Sequence, residues 1–139
     1  MNYLLHADAL EAIAQGALPP DLRSTIERAS PTQIHISVLA FAEILAKVEL
    51  RHPPATALVA WLRRIPSEYP DRLIPITPEI AAALPNLALL AQEKGQTLSL
   101  TDGLAAAAAL RFDLILIARP SPALAATGVR LLPLESPRT

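Results

Sequence analysis

The sequence predicts an α/β fold, a small parallel sheet flanked by helices. Short apolar segments alternate with helical segments along the 139 residues, and this order is typical of parallel sheets covered by helices. Hydrophobic residues make up 52% of the chain and charged residues 18%, which is enough apolar material for a packed core. No change in composition and no internal repeat divides the sequence. We therefore expect residues 1–139 to form a single domain.

The first half of the chain contains two predicted strands and four predicted helices. In order these are a strand at 2–5, a helix at 9–14, a helix at 20–27, a strand at 34–36, a helix from 38 to about 50 and, after Pro53 and Pro54, a helix that carries Trp61. Gly16 is expected to end the first helix, and Ser37 is suited to cap the third.

The second half is predicted to hold three strands and two helices. A strand at 73–76 contains Pro75, which favours a strand end or a sheet edge. The Thr77-Pro78-Glu79 sequence is a strong helix start, and that helix is expected to stop at Gly95. A helix at 99–111 follows, whose alanines at 105–109 indicate close packing against a neighbouring helix. The last two strands are predicted at 113–117, the clearest buried strand of the chain, and at 128–132.

Composition excludes several classes of function. The chain has no cysteine, which excludes disulfides, thiolate metal sites and a cysteine nucleophile. A net charge of −1 and 4% aromatic residues exclude a broad basic surface or a base-stacking platform, so any contact with nucleic acid has to be local. The N-terminus lacks the basic flank of a signal peptide, and the longest apolar run, 104–110, is too short to span a bilayer. We expect a cytoplasmic protein without a membrane partner.

Three acidic residues lie near predicted strand ends or helix starts, where ligands collect in open α/β sheets. Asp8 follows the first strand, Glu43 lies about two turns into the helix after the second strand, and Asp102 lies in the first turn of the alanine-rich helix. Carboxylates that are brought together repel each other, and a divalent cation is the usual reason for assembling them. These acids are therefore candidate metal ligands and catalytic residues, with His6 as a further candidate ligand.

Each candidate also has a simpler explanation. Asp8 is suited to cap the first helix, and Asp102, three residues after Ser99, fits a variant of the capping box. Glu43 has a place on a solvent-facing helix side, and a histidine such as His6 is often structural. Taken singly, none of these residues indicates a function.

The ordered set of motifs resembles the PIN-domain proteins that form the toxin half of VapBC-type toxin–antitoxin pairs. The resemblance covers nearly the whole chain and is carried by the segments 3–10, 36–44, 76–80, 98–106, 114–119 and 128–133. It implies a PIN-like fold and an endoribonuclease in which Mg²⁺ or Mn²⁺, held by acids, activates a water for attack on RNA. Glu43 and Asp102 match the helical glutamate and the late aspartate of that family.

Three positions depart from the family pattern. His6 stands where the first strand usually ends in aspartate, and Asp8 stands where asparagine usually follows two residues later. Pro122 stands where a fourth acid is usual. One interpretation is a rearranged site made of Asp8, Glu43, Asp102 and His6 with an altered metal preference, since imidazole suits Mn²⁺ or Zn²⁺ better than Mg²⁺. The other is that the PIN-like scaffold is catalytically degenerate and acts through protein interactions or regulation.

The resemblance also implies partners. An RNA substrate, a VapB-like antitoxin and a second copy of the chain are expected, with the apolar helices around Ile44 and Leu58 as the dimer surface. Candidate phosphate contacts are the arginines Arg63, Arg64, Arg111 and Arg119, although a pair such as Arg63-Arg64 is also typical of a solvated helix face. A small regulator that binds phosphate at a helix N-terminus is a further alternative, but no glycine-rich loop supports it.

Overall fold

The computed structural model describes residues 1–51 and 56–135, and the predicted break at Pro53 and Pro54 lies outside these ranges. Its centre is a sheet made of β1 (Tyr3–Leu5), β2 (Ile34–Ser37), β3 (Leu73–Ile74), β4 (Ile115–Ala118) and β5 (Leu131–Pro133). The strands are all parallel, in the order β3-β2-β1-β4-β5. The predicted α/β class and parallel sheet are therefore confirmed.

Seven α-helices lie in the described ranges. They are α1 (Ala7–Ala14), α2 (Pro20–Arg28), α3 (Val38–Glu49), α4 (Thr56–Glu68), α5 (Pro78–Glu93), α6 (Leu100–Arg111) and α7 (Pro122–Ala126). Short 3₁₀ turns at Pro31–Gln33 and Pro70–Arg72 lead into β2 and β3. None of the helices in these ranges is long and apolar enough to cross a membrane.

The sheet separates two hydrophobic layers, because successive side chains of a strand point to opposite faces. On β1, Leu4 belongs to the layer formed with α5, α6 and α7, whereas Leu5 belongs to the layer formed with α1, α3 and α4. Leu116 and Ile117 on β4 divide in the same way, and each is fully buried. This layering determines on which side of the sheet each helix of the candidate site lies.

The predicted caps are present and determine where three helices begin. The hydroxyl of Ser37 accepts from the amide of Leu39, and that of Ser99 accepts from the amide of Asp102 at 3.1 Å. Thr77 caps α5 through the amide of Ile80. The capping of α3 and α6 matters most for function, since these two helices carry Glu43 and Asp102.

Several local features differ from the prediction: α1 begins at Ala7 rather than at residue 9, β5 lies at Leu131–Pro133 rather than at 128–132, and three further differences follow. β3 ends at Ile74, before Pro75, and it is an edge strand, as the proline favours. β4 begins only at Ile115, because Asp113 adopts a left-handed conformation with φ of 54° and turns the chain after α6. The helix α7 was not predicted. It is short, and it begins where the hydroxyl of Ser121 accepts from the amide of Leu124.

Candidate functional site

The four predicted site residues reach one cavity from three directions. His6 follows β1 directly and Asp8 lies in the first turn of α1, while Glu43 comes from α3 and Asp102 from α6. All four line a cavity of about 380 Å³. It lies at the carboxyl end of β1, at the point where the order of the parallel strands reverses, which is where α/β sheets bind ligands.

The closest contact in the cavity joins His6 to Asp102. The distance from Nε2 of His6 to Oδ1 of Asp102 is 2.6 Å. His6 is only 5% exposed, whereas the side chain of Asp102 keeps 29% of its surface exposed. A bond between ring nitrogen and carboxylate at this distance is a strong, charge-assisted hydrogen bond when the histidine is protonated. Residues 96 positions apart are thus held together at the base of the cavity.

The surroundings shift the pKa values of both partners. Burial lowers the pKa of His6, but the hydrogen bond to Asp102 and the charges of Asp8, Asp102 and Glu43 outweigh burial, so the pKa is raised from its usual 6.5. The hydrogen bond to His6 lowers the pKa of Asp102 from its usual 3.8, against the opposing effect of burial. Both shifts favour the charged forms, in which this hydrogen bond is strongest.

The second ring nitrogen of His6 opposes this preference. Within the described ranges, Nδ1 is buried and meets no hydrogen-bond partner. A protonated ring would leave a buried N–H group without an acceptor there, and such a group costs about 1–3 kcal/mol. The hydrogen bond to Asp102 and the charges of the surrounding carboxylates act in the opposite direction and raise the pKa of His6.

Asp8 has a positioning role in the structure. Its Oδ1 accepts from the amide of Ala9 at 2.8 Å, and its Oδ2 accepts from the amide of Arg119 at 2.9 Å. The carboxylate therefore ties the first turn of α1 to the chain that leaves β4. Asp8 is not the N-cap of α1, which is His6 without a side-chain cap bond; it lies inside the first turn, where it accepts from the amide of Ala9.

Glu43 is an exposed residue that lines the cavity. It lies close enough to raise the pKa of His6 through its charge. Its side of α3 also carries Lys47, one turn later, whose ammonium pairs with Glu11 of α1 at 2.8 Å. Lys47 and Glu11 line the same cavity and were not singled out from the sequence. The i+4 spacing of Glu43 and Lys47 places both residues on one side of the helix, and this spacing could have identified Lys47 from the sequence.

The structure separates the four candidate phosphate contacts. Arg63 pairs with Glu49 on the exposed side of α4 and α3, next to the exposed Arg64. Arg111 lies at the far end of α6 from Asp102 and pairs with Glu79 at 3.0 Å. Of the four, only Arg119 lines a cavity that also contains Asp8. A phosphate contact near the acids is therefore a candidate role for Arg119 alone.

Pro122, which stands where the family has a fourth acid, is the first residue of α7. A proline at this position fixes the helical φ and has no amide hydrogen to leave unpaired. It brings no oxygen ligand from its side chain. The acids of the cavity are thus those of α1, α3 and α6.

The side chains do not fit a metal ion in this arrangement. Among the described residues, no three histidine, aspartate or glutamate side chains are placed so that they could hold one. Two ligands at about 2.1 Å from one ion lie about 3.0 Å apart at right angles. The 2.6 Å between His6 and Asp102 is shorter than that separation and is a hydrogen-bond distance. The predicted ligands Asp8, Glu43, Asp102 and His6 line one cavity, but no three of them are placed around a common point as in a metal site.

Comparison with known proteins gives structural matches only. No family model matches the sequence, and no curated protein matches it. The chain is similar to a chain of FitAcB from Neisseria gonorrhoeae, with a TM-score of 0.74 and 18% identity over 93% of this chain and 95% of that one. It is also similar to a chain of VapBC2 from Rickettsia felis bound to a promoter DNA fragment, with a TM-score of 0.72 and 16% identity over 97% and 100%.

A third similar structure is VapBC-5 from Mycobacterium tuberculosis, a member of the VapBC family of toxin–antitoxin systems. The TM-score is 0.63 and the identity 20%, over 95% of this chain and 98% of that one. At such low identity these likenesses concern the fold, and they extend over almost the full length of both chains. The chain has the PIN-like, VapC-type fold that the sequence predicted.

Proposed function

We propose that this chain is a VapC-like protein that acts by binding a small antitoxin-like protein, and that its cavity is not a metal-dependent nuclease site. The observation that carries the proposal is the hydrogen bond between His6 and Asp102. The bond involves the carboxylate of Asp102, which a catalytic cation would need as a ligand. Its other partner is a ring nitrogen of His6, at the position where the family resemblance implies an aspartate. Asp8 is held by two backbone amides, one on each carboxylate oxygen, which tie it to α1 and to the chain after β4.

The partner is inferred from the kind of assembly in which the fold occurs. Several similar structures are described as toxin–antitoxin complexes, including one from Klebsiella pneumoniae with a TM-score of 0.65. The similarity covers 93–97% of this chain and 95–100% of the two others, and this near-complete coverage supports a shared way of assembling.

A cleavage assay with purified protein tests the absence of nuclease activity. We expect single-stranded RNA incubated with the chain and 5 mM Mg²⁺ or Mn²⁺ to be cut no faster than with a variant carrying both Glu43→Gln and Asp102→Asn. Metal-dependent cleavage that disappears in this double variant would contradict the proposal. The double variant is a suitable control because it removes the charges of Glu43 and Asp102, the two acids that match the family, and keeps side chains of the same shape.

The partner is tested separately. We expect the chain, produced together with a small protein encoded by a neighbouring reading frame, to elute as one complex whose mass exceeds that of either component by light scattering. Two components that elute apart at micromolar concentration would contradict the binding proposal.

RNA cleavage is the second candidate function, and the convergence of Glu43, Asp102 and His6 on one cavity favours it. Arg119 lies near enough to contact a phosphate beside Asp8. For a metal-activated water to form as in the family, the His6–Asp102 bond would have to open. The cleavage assay above decides between the two candidates.

A further inference from the structure

We infer that the exposed face of α5 binds a second copy of this chain, with the two α5 helices packed antiparallel about a two-fold axis near Pro85 and Asn86. We call this surface the α5 face, and it consists of Ala82, Pro85, Asn86 and Leu89. None of these four residues lines the cavity that contains His6. The inference therefore goes beyond the proposed function and does not depend on it.

The orientation of α5 defines the face. Ile80 and Leu87 are 1% and 7% exposed and belong to the hydrophobic layer that also contains Leu4. Given the helical repeat, Ala82 and Leu89 point to the opposite side of α5. Both are exposed, and Leu89 keeps 52% of its surface accessible. The outer side of α5 is thus left uncovered by the part of the chain that the structure describes.

The composition of the α5 face is unusual for an exposed helix side. Residues 80–92 include no charged side chain, although charged residues make up 18% of the chain. The charged residues of α5, Glu79 and Glu93, stand near its two ends. The outer side of a surface helix normally carries charges, and an uncharged side with a large apolar residue is typical of an interface. Near a two-fold axis, a lack of charge also avoids repulsion between identical residues.

The α5 face is complementary to itself. The small Ala82 lies three residues before Pro85, and the large Leu89 lies three residues after Asn86. Antiparallel pairing about the midpoint between Pro85 and Asn86 therefore places Leu89 of each copy against Ala82 of the other. A large side chain then fills the space beside a small one at two equivalent places.

Asn86 lies beside the axis in this arrangement. Its side-chain amide has both a donor and an acceptor, so two Asn86 side chains related by a two-fold axis can bond to each other. A charged residue at this position would instead meet its own charge. A partner with a different sequence needs no such symmetry. The symmetric order of small, amide and large residues therefore favours a second copy over a different protein.

The size of the face predicts reversible pairing. Residues 80–92 extend over about 18 Å of helix. One helix side of this length buries less than the roughly 800 Å² per partner of a standard interface. We therefore expect a Kd of about 10 µM. Denaturation measured at about 1 µM then reports on the monomer.

Sedimentation equilibrium of the full chain at about 10–200 µM tests the inference. We expect wild type to approach twice the chain mass of 14.9 kDa and Leu89→Glu to stay near 14.9 kDa. The variant would place an unpaired carboxylate in the contact with Ala82. The matched control is Leu50→Glu, which changes an exposed leucine at the end of α3, on the other side of the sheet. It is expected to pair like wild type.

Cross-linking tests the position of the axis. The chain has no cysteine, so Asn86→Cys introduces a single thiol. Two thiols beside the axis are within reach of a disulfide, which needs Cα atoms about 6 Å apart. We expect mild oxidation to convert Asn86→Cys into a covalent dimer. Glu93→Cys, also exposed on α5, would hold its two thiols about 22 Å apart in antiparallel pairing. It is expected to cross-link about tenfold less or weaker still.

Four results would overturn the inference. Wild type that stays near 14.9 kDa at about 200 µM does not pair. Pairing of Leu89→Glu as tight as that of wild type places the dimer surface elsewhere. Equal cross-linking of the two cysteine variants contradicts the antiparallel register. If wild type is monomeric and Leu89→Glu loses binding of the small antitoxin-like protein, the α5 face belongs to that protein instead. RNA cleavage bears only on the proposed function.

Discussion

At the residue scale, the central feature of the molecule is the part-buried hydrogen bond between His6 and Asp102, which is strongest when the ring is protonated and the carboxylate is charged. Burial disfavours the charged form of His6, and the hydrogen bond to Asp102 together with the surrounding carboxylate charges more than offsets this effect. A protein that needed only a structural histidine could place it without three acids nearby. The arrangement is the basis for the proposal that the cavity is not a metal-dependent nuclease site.

The shifted pKa values predict how stability depends on pH. The folded pKa of His6 lies above its unfolded value of 6.5, so its contribution is complete below pH 6.5 and is lost as the pH rises through the folded value. The folded pKa of Asp102 lies below 3.8, so its contribution is present above pH 3.8 and is lost as the pH falls through the folded value. Together they stabilise the fold most between these limits.

Urea denaturation at pH 5.5 and pH 8.5 measures this effect. We expect the wild-type free energy of unfolding to fall from pH 5.5 to pH 8.5 by more than that of the double variant His6→Asn and Asp102→Asn. An equal change in both proteins would mean that the pair does not contribute to the pH dependence.

Asp8 allows a second prediction at this scale. Asp8→Ala leaves the amides of Ala9 and Arg119 without their acceptor, and we expect a loss of about 1–2 kcal/mol in the free energy of unfolding. The matched control is Asp21→Ala, which removes an acid from the first turn of α2. It should cost no more than about 0.5 kcal/mol, since only the helix dipole is affected. Equal losses would show that Asp8 does not join α1 to β4.

The sequence could predict the local roles of these residues and not their long-range partners. The cap of Ser99 on α6 follows from three-residue spacing, and the bond of Asp8 to the amide of Ala9 follows from its position near the helix start. The contact between His6 and Asp102 depends on how α6 is placed against β1, which no short-range pattern encodes. The second bond of Asp8, to Arg119, likewise spans 111 positions.

At the element scale, the small side chains of α6 allow this helix to pack close to the sheet. This close packing brings Asp102, at the start of α6, to the cavity. The alanines at 105–109 are all buried, and they lie within the hydrophobic layer that contains Leu4 and Leu116. At the start of the same helix, a Cβ on Gly103 would collide with the tip of Leu84 on α5. The close packing predicted from the alanines is confirmed, and it makes α6 intolerant of larger residues.

Ala106→Leu tests this intolerance. The residue is fully buried, so three added carbons have to displace neighbouring elements, and we expect a loss of about 1–3 kcal/mol or more. The same change at the exposed Ala82 of α5 should stay within about 0.5 kcal/mol. Chemical denaturation compares the two, and similar losses would contradict the packing role of the alanines.

Long elements were easier to predict from the sequence than short ones. The helix at 78–93 was recognised from its Thr-Pro-Glu start and continues through Pro85 in the structure. The five-residue α7 was missed because its Pro-Ser-Pro beginning resembles a loop and its apolar period is too short to detect. Its N-terminal proline occupies the place of the family's fourth acid, so this missed element also bears on the site.

At the scale of the whole molecule, the order β3-β2-β1-β4-β5 explains why distant residues meet. β1 lies in the middle, and the helices that follow β1 and β2 start at the same edge of the sheet, as does the chain after β4. The alternation of strands and helices in the sequence was sufficient to predict a parallel sheet. The strand order was not readable from that alternation, and it is the strand order that creates the cavity.

Dimerisation remains a prediction, but Ile44 no longer belongs to the surface that is expected to form the dimer. Ile44 is 2% exposed and packs in the hydrophobic layer of its own chain, so it is not available to a second copy. The side chain of Leu58 lies outside the part that the structure describes. Light scattering should return about twice the chain mass of 14.9 kDa if the chain pairs, and a mass near 14.9 kDa at working concentration would reject pairing.

The most direct test of the account is a nuclear magnetic resonance titration of the histidine rings in the full chain, with His6 assigned through His6→Asn. We expect the ring of His6 to titrate above pH 6.5 and to shift downward in Asp102→Asn, while His35, whose pKa is lowered by burial and by Arg72, titrates below 6.5. A His6 ring that titrates at or below 6.5 and does not respond to Asp102→Asn would contradict the bond on which the account depends.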